Sequence, residues 1–135
     1  YKSNKEVIVN FSDILNIEYI ENNDEYVKAK MMLKKEFANN INSLHGGITA
    51  SIADSVSGYL ASSIKIMTPT NNMSIYYLNP IRVKEGDYVY AEAKTIKRGK
   101  KIIVINCQIF DNNYNLSAEA TTSFSPMERK ISKDK

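Results

Sequence analysis

One short stretch of the chain gathers the groups that could carry out chemistry. Asn39 lies in a polar, turn-prone segment that ends in the only histidine, His45, followed at once by Gly46 and Gly47. Asp54 comes a little later, inside the apolar segment that follows. An amide, an imidazole, the unpaired N–H groups of a helix start and a carboxylate are together able to bind a carbonyl oxygen and activate water. We therefore take this stretch as the candidate site.

The segment after the glycines is predicted to be a helix that ends near Lys65. Its apolar residues recur mainly at every fourth position and make one broad stripe, as in helices that pack against a core. The stripe consists of Ile48, Ile52, Ala53, Val56, Tyr59, Leu60 and Ile64. Only small residues neighbour Asp54 on the helical wheel, so another backbone can approach it and we expect it to be partly covered by protein. These neighbours are Ala50, Ser51, Ser57, Gly58 and Ala61.

The spacing of these residues resembles that of the hotdog-fold acyl-CoA thioesterases, in particular the phenylacetate-pathway (PaaI-like) branch. Asn39 precedes the His45-Gly46-Gly47 triplet by six residues, and Asp54 follows the histidine by nine. The triplet alone is a weak signal, and correctly spaced Asn and Asp make it much stronger. The likeness covers residues 12–126. Asn42 stands where the family often has glycine, and asparagine tolerates the left-handed backbone that such a turn needs.

The resemblance implies a role for each site residue in splitting a thioester. Gly47 would be the principal N–H donor to the oxyanion at the helix start, where the dipole also favours negative charge. His45 would orient the loop or help bind the carbonyl, and Asn39 would position the carbonyl or the water. Asp54 would act as general base or as nucleophile. Thr70 falls where the branch often has a polar residue that assists the water.

The distance along the helix from its start to Asp54 predicts an oligomer. About seven residues at about 1.5 Å each separate the helix start from Asp54 by about 10 Å, too far for both to grip one carbonyl easily. Enzymes of the family that this chain resembles pair so that the loop of one chain faces the acid of the other. We therefore expect a homodimer at least, with a homotetramer as the expected assembly.

Coenzyme A carries phosphates, so a basic rim is expected around the site. The substrate-binding candidates are Gly46, Arg82, Lys84, Arg98, Lys100 and Lys101. Solvated surface lysines are an equally good reading of the basic residues. No further cofactor is expected, because coenzyme A enters as part of the substrate.

Composition and charge exclude several other classes of function. A net charge of +3, with the lysines spread along 135 residues, is too small for a nucleic-acid binder. One histidine and one cysteine cannot make an ordinary zinc site, so no metal is expected. A single cysteine, Cys107, is typical of a protein in a reducing compartment, and the cytoplasm is the default expectation. Because Cys107 lies in an apolar strand, we predict that it is a packing residue. No apolar run is long enough to span a membrane, and we do not expect the protein to bind one.

The order of the elements predicts one α+β hotdog domain over residues 1–135, an antiparallel sheet wrapped around one long central helix. A loose arm is expected over residues 1–10, Ser12 as a cap or turn residue, and a frayed charged tail over residues 127–135. The predicted strands cover residues 14–21, 27–34, 73–79, 87–97, 101–111 and 116–124. The run of Ile102 to Ile105 predicts a central strand covered on both faces.

Two functions remain open on the sequence alone. The favoured one is an acyl-CoA thioesterase that hydrolyses a small or medium acyl- or aryl-CoA to free acid and CoA. The alternative is a non-catalytic hotdog module that binds acyl-CoA or drives dimerisation of a larger regulatory protein. The presence of Asn39, His45, Gly47 and Asp54 together favours the enzyme, because a pure binder has no evident need for all four.

Overall fold

A computed structural model describes residues 9–63 and 65–128. Along the described chain a short 3-10 turn, Lys35–Phe37, precedes the longer of two α-helices. The helices are α1, Phe11–Leu15, and α2, Gly46–Ala61. The strands are β1 Glu18–Asn22, β2 Tyr26–Met32, β3 Ile66–Met67, β4 Thr70–Tyr77, β5 Tyr88–Arg98, β6 Ile103–Phe110, β7 Leu116–Phe124 and β8 Met127–Glu128. Neither described helix is long and apolar enough to cross a membrane.

Six of the strands form one antiparallel sheet that wraps around α2. Their order is β1-β2-β5-β6-β7-β4, so β1 and β4 are the edge strands. Successive side chains of a strand point alternately to the inner and the outer face of the sheet. In β6, for example, every second residue is buried. The long helix packs on this inner face, against β2, β4, β5, β6 and β7. The predicted α+β hotdog architecture is confirmed.

The buried face of α2 agrees in part with the predicted stripe. Ile52, Ala53, Val56 and Leu60 are buried as predicted, and Thr49, Ser57 and Ala61 complete the face. The prediction that Tyr59 belongs to the buried stripe is wrong, because its side chain is 46% exposed. Its ring stacks on that of Tyr19, with the centroids 3.9 Å apart. Ile48 is only half-buried, and Ile64 lies outside the described residues.

The helix ends at Ala61, earlier than the predicted end near Lys65. The reason lies in β5, where the guanidinium of Arg98 donates to the carbonyls of Ala61 at 3.1 Å and Leu60 at 3.0 Å. A cation that satisfies the last carbonyls stabilises a helix end at that point. This contact joins residues far apart in sequence, and no local pattern announces it.

The prediction that β6 is covered on both faces is wrong for the single chain. Ile103, Ile105, Cys107 and Ile109 are buried on one face, whereas the residues between them are only half-buried. The sheet wraps one helix, so within one chain only its inner face is covered. Cys107 is buried in the core as predicted, and burial raises the pKa of its thiol to about 12.

The two ends of the described chain depart from expectation. Asn10, not Ser12, caps α1, and its side chain and that of Asp13 exchange hydrogen bonds with each other's backbone N–H. The helix therefore occupies the start of the segment predicted as a strand over residues 14–21, and β1 begins only at Glu18. At the other end, residues 127 and 128 pair as β8 with β3 and are not frayed. The rest of the predicted tail, and residues 1–8 of the predicted arm, lie outside the described residues.

The loop before α2 is built around one asparagine side chain and one left-handed residue. The Oδ1 atom of Asn39 accepts the N–H groups of Ile41 and Ser43, both at 3.0 Å. Asn42 has φ 63°, as expected from its place in the turn. Its carbonyl accepts the N–H of Val83, which ties the loop to the segment after β4. The loop is therefore held at a fixed position beside the start of α2.

We predict that this turn discriminates sharply between substitutions at Asn42. Asn42→Val should lower the free energy of unfolding by about 1–2 kcal/mol, because a branched side chain is strained at positive φ. Asn42→Gly should change it by less than about 1 kcal/mol, because glycine enters this region without steric cost. Urea denaturation of both variants measures the difference, and equal destabilisation would contradict the left-handed turn.

Candidate active site

The start of α2 brings His45, Gly46 and Gly47 together, but not quite as predicted. His45 is the N-cap, and its Nδ1 accepts the N–H of Gly47 at 2.9 Å. The expectation of unpaired N–H groups at the helix start is therefore wrong for Gly47. The N–H of Gly46 has no acceptor within the described part of the chain. His45 is exposed, so its ring can turn away and release the Gly47 amide without disturbing the core.

Asp54 lies on the third turn of α2 and is half-buried, in agreement with the prediction of partial cover. The hydroxyl of Thr70 donates to its Oδ1 at 2.6 Å, a short charge-assisted bond. The two residues share a cleft of about 470 Å³ with Gly58, Met67 and Phe124, among others. One carboxylate oxygen is thus held by the protein, while the cleft gives a small molecule access to the group.

A β-bulge at the start of β4 explains how Thr70 reaches this position. The strand pairs with β7 so that Ile75 and Tyr77 stand opposite the buried Ala120 and Ala118. Strict alternation would then turn Thr70 towards the outer face. The register shifts by one residue between Thr70 and Asn72, which places Thr70 opposite the buried Phe124. The bulge therefore aims the hydroxyl at the helix.

Asn39 borders a second cleft of about 300 Å³ together with Gly46, Thr49 and Tyr77. Because its Oδ1 serves the loop, its amide nitrogen is the atom left for another partner. Tyr77 was not predicted as a site residue. Its hydroxyl donates to the carbonyl of Gly46 at 2.8 Å. The alternation of side chains along β4 could have predicted that Tyr77 faces the helix. Only the packing of β4 on α2 decides which turn of the helix Tyr77 contacts.

One chain therefore forms two separate half-sites. Asn39, His45, Gly46 and Gly47 lie at the helix start, and Asp54 with Thr70 lies two turns further along. Asp54 follows Gly46 by eight positions, which correspond to about 12 Å along the helix axis. The cleft at Asn39 does not reach Asp54, and the cleft at Asp54 does not reach the helix start.

The predicted basic rim is divided between the two ends of α2. Arg82 is exposed beside the loop, where its backbone pairs with Ser43, and Lys84 is exposed nearby in sequence. Lys100 and Lys101 are exposed on the β5–β6 hairpin, where Lys100 borders a cleft with Ala61 from the helix C-terminus. The guanidinium of Arg98 is occupied by helix carbonyls, which supports a structural role for it in place of phosphate binding.

A more voluminous cleft, about 680 Å³, contains none of the predicted catalytic residues. It lies at the C-terminal end of α2, between Leu60 and the β1–β2 turn around Asp24. Its size alone does not make it the site, because no nucleophile, base or oxyanion donor of the predicted set lines it. The described residues also contain no group of three or more acidic, histidine or cysteine side chains placed to hold a metal ion.

Sequence comparison finds relatives among esterases and thioesterases. The chain is 28% identical to mouse acyl-coenzyme A thioesterase 13 over 80 residues, which are 58% of this chain and 56% of the mouse protein. A protein of Archaeoglobus fulgidus is 33% identical over 89 residues, 66% of this chain and 56% of that protein. The chain thus spans little more than half the length of these relatives.

Solved structures with the same fold are also similar to this chain. The Escherichia coli PaaI protein of the phenylacetic acid degradation operon superimposes with a TM-score of 0.80 at 22% identity, over 90% of this chain and 86% of that one. A Streptococcus mutans protein bound to acetyl-CoA gives a TM-score of 0.79 at 19% identity, over 96% of this chain and 100% of that one. At identities this low, the superpositions establish a common fold and nothing more.

The family match covers both half-sites apart from Asn39, which lies two residues before it begins. It runs over residues 41–118 and so includes the helix start, Asp54, Thr70 and the whole of β4. On this match, which spans more than half of the chain, the protein belongs to the thioesterase superfamily.

Proposed function

We propose that the protein is an acyl-CoA thioesterase of the PaaI-like kind, which hydrolyses a small or medium acyl- or aryl-CoA to the free acid and CoA. The observation that carries the proposal is the bond from Thr70 to Asp54 in an open cleft, on the helix that begins with the His45-Gly46-Gly47 turn. Membership of the thioesterase superfamily, the mouse relative and the acetyl-CoA-bound neighbour support it.

Asp54 supplies the group that initiates hydrolysis. As a general base it takes a proton from water, whose oxygen attacks the thioester carbonyl and pushes negative charge onto the carbonyl oxygen. When the carbonyl re-forms, the carbon–sulfur bond breaks and CoA leaves as the thiolate. As a nucleophile Asp54 attacks the carbonyl carbon, the carbon–sulfur bond breaks and CoA leaves as the thiolate. Water then cleaves the resulting mixed anhydride to the free acid and the Asp54 carboxylate. Thr70 holds Oδ1 in either case and so leaves Oδ2 to face the reacting atoms. No metal or further cofactor enters this scheme.

The helix start stabilises the negative charge on the carbonyl oxygen. The N–H of Gly47 is the proposed oxyanion donor, and a carbonyl that enters the site replaces Nδ1 of His45 as its acceptor. The imidazole then turns aside and remains near the thioester. The amide nitrogen of Asn39 borders the same cleft and positions the carbonyl or the water.

A complete site requires a second copy of the chain, so we propose a homodimer as the catalytic unit and a homotetramer as the full assembly. The two half-sites of one chain are about 12 Å apart along α2, which is too far to act on one thioester. The edge strand β4 offers the surface for pairing, because six of its eight residues are exposed and no strand of the described residues pairs with its outer edge. If two β4 strands pair antiparallel about a twofold axis, the Tyr77 end of one copy, next to its loop, would lie beside the Thr70 end of the other, next to its Asp54.

The phosphates of CoA would be bound by the exposed basic residues near the site. Arg82 and Lys84 suit this role best, because they flank the loop that borders the Asn39 cleft. Lys100 and Lys101 lie near the far end of α2 and would reach the ligand only from the second copy. The single buried thiol of Cys107 suits the reducing cytoplasm, where we place the reaction.

We expect the wild type to hydrolyse at least one member of a panel of short, long and aromatic acyl-CoA thioesters. Asp54→Asn should lower kcat/KM by about a hundredfold or more, because the amide can neither take a proton nor attack. Release of free CoA thiol measures the rate, and the burial of Cys107 keeps the native protein from adding to the signal. Glu36→Gln, which removes an exposed carboxylate elsewhere, is the matched control.

If the wild type is inert towards the whole panel yet binds acyl-CoA, the proposal fails and the non-catalytic binding module replaces it. If Asp54→Asn retains the activity of the Glu36→Gln control while folding and associating normally, Asp54 is not the base or the nucleophile.

The shared site predicts recovery of activity when two inactive variants are mixed. Gly47→Pro removes the proposed oxyanion donor at a helix position where proline is tolerated, and Asp54→Asn removes the base. Each alone should be nearly inactive. Random reassortment should restore about a quarter of the wild-type rate, because half of the dimers carry one variant of each kind and hold one intact site.

Gly47→Ala serves as the control, because it keeps the N–H. The added methyl would lie 3.1 Å from Nδ1 of His45, an exposed side chain that can move, so most of the activity should remain. Absence of recovery in the mixture, with dimers demonstrated by light scattering, would place the whole site within one chain.

The contribution of Thr70 is tested by a pair of substitutions. Thr70→Val removes the hydroxyl and nearly keeps the volume, and we expect kcat to fall about tenfold, as for loss of a hydrogen bond to a charged group. Thr70→Ser keeps the donor and should stay within about threefold of the wild type. Equal rates for the two variants in the thiol-release assay would exclude a role for the hydroxyl.

A further inference from the structure

Tyr77 makes a contact with the start of α2 that the proposed mechanism does not yet use. Its hydroxyl donates to the carbonyl of Gly46 at 2.8 Å. Its ring lies over the same residue, since a methyl group added to Gly46 would meet ring atoms of Tyr77 at 3.5 Å. Among the described side chains, only that of Tyr77 donates a hydrogen bond to this carbonyl.

The carbonyl of Gly46 and the N–H of Gly47 belong to one peptide unit. This unit is planar and, as for every described peptide bond, not cis, so the two groups point in opposite directions and cannot turn independently. A side chain that fixes the carbonyl therefore fixes the direction of the N–H. A hydrogen bond to the carbonyl also polarises the amide and strengthens its N–H as a donor.

The two ends of this peptide unit are held in different ways. At the N–H end the acceptor is Nδ1 of His45, an exposed side chain of the loop. At the carbonyl end the hydroxyl of Tyr77 adds a second donor to the helical N–H of Ala50. Tyr77 stands on a strand whose pairing with β7 fixes its position, opposite Ala118. When a substrate oxygen replaces His45, the bond to Tyr77 remains, and it keeps the N–H aimed at the oxyanion.

We infer that Tyr77 is a positioning residue of the thioesterase site, which orients and polarises the Gly46–Gly47 peptide through the Gly46 carbonyl. This inference depends on the proposed function, in which the Gly47 N–H is the oxyanion donor. The hydroxyl of Tyr77 acts through the peptide and needs no contact with the reacting atoms. Its effect should therefore appear in the transition state, where charge develops, more than in substrate binding.

Tyr77→Phe removes the hydroxyl and keeps the ring over Gly46. We expect kcat to fall about three- to tenfold with KM changed less than twofold, as for loss of one neutral hydrogen bond felt mainly in the transition state. Tyr76→Phe is the matched control, because it makes the same change one residue earlier, on the opposite face of β4, where the side chain is 68% exposed. That control should keep the wild-type rate.

A double substitution separates positioning from a general structural effect. In a Gly47→Pro background the N–H is absent, so Tyr77→Phe should cause no further loss in kcat. An equal loss in both backgrounds would overturn the inference. So would a raised KM with kcat unchanged, because that result indicates direct substrate binding.

The amide signal of Gly47 in an NMR spectrum gives a readout that does not need catalysis. It should move upfield in Tyr77→Phe, because the amide is less polarised, and stay in place in Tyr76→Phe. An unchanged signal in Tyr77→Phe would overturn the inference even if the rate falls. If the wild type hydrolyses no thioester, the proposed function fails, and this signal still decides whether Tyr77 holds the peptide.

Discussion

The burial of one face of α2 against the sheet is the constraint on which the rest of the structure depends. Ile52, Val56 and Leu60 fix the rotation of the helix about its axis, because turning it would bring these side chains into water. With the rotation fixed, Asp54 must lie at the border of the buried face, where Thr70 reaches it. The position of the carboxylate is thus a consequence of core packing.

Residues of one strand, the edge strand β4, contact both half-sites. Its first residue, Thr70, donates to Asp54, and its last, Tyr77, donates to the carbonyl of Gly46. Both side chains face the helix only because the bulge near Asn71 corrects the alternation at one end. A displacement of this strand would therefore change the base and the oxyanion donor together. Since β4 also has the free edge, pairing with a second copy would stabilise both contacts.

The helix start is stabilised in the absence of substrate by its own histidine. The N–H of Gly47 would otherwise be an unpaired donor at the end of the helix, and Nδ1 of His45 satisfies it at 2.9 Å. Nδ1 must carry no proton in this arrangement, because it accepts the bond. Because the side chain of His45 is exposed, its Nδ1 can move away when a substrate carbonyl oxygen takes its place as the acceptor. An amide that is satisfied at rest and released on binding avoids the cost of a permanently unpaired donor.

The sequence by itself determined the fold class, the family resemblance, the buried core of α2 and the turn at Asn42, because these depend on local periodicity and on backbone geometry at single residues. It also named Thr70 as a candidate site residue through the family pattern, but not its hydrogen bond to Asp54. The tertiary structure alone decided that Arg98 ends the helix, that Gly47 is bonded to His45 and that Tyr77 meets Gly46. These contacts depend on how strands pack across the helix, a geometry set by many weak interactions between residues far apart in the chain.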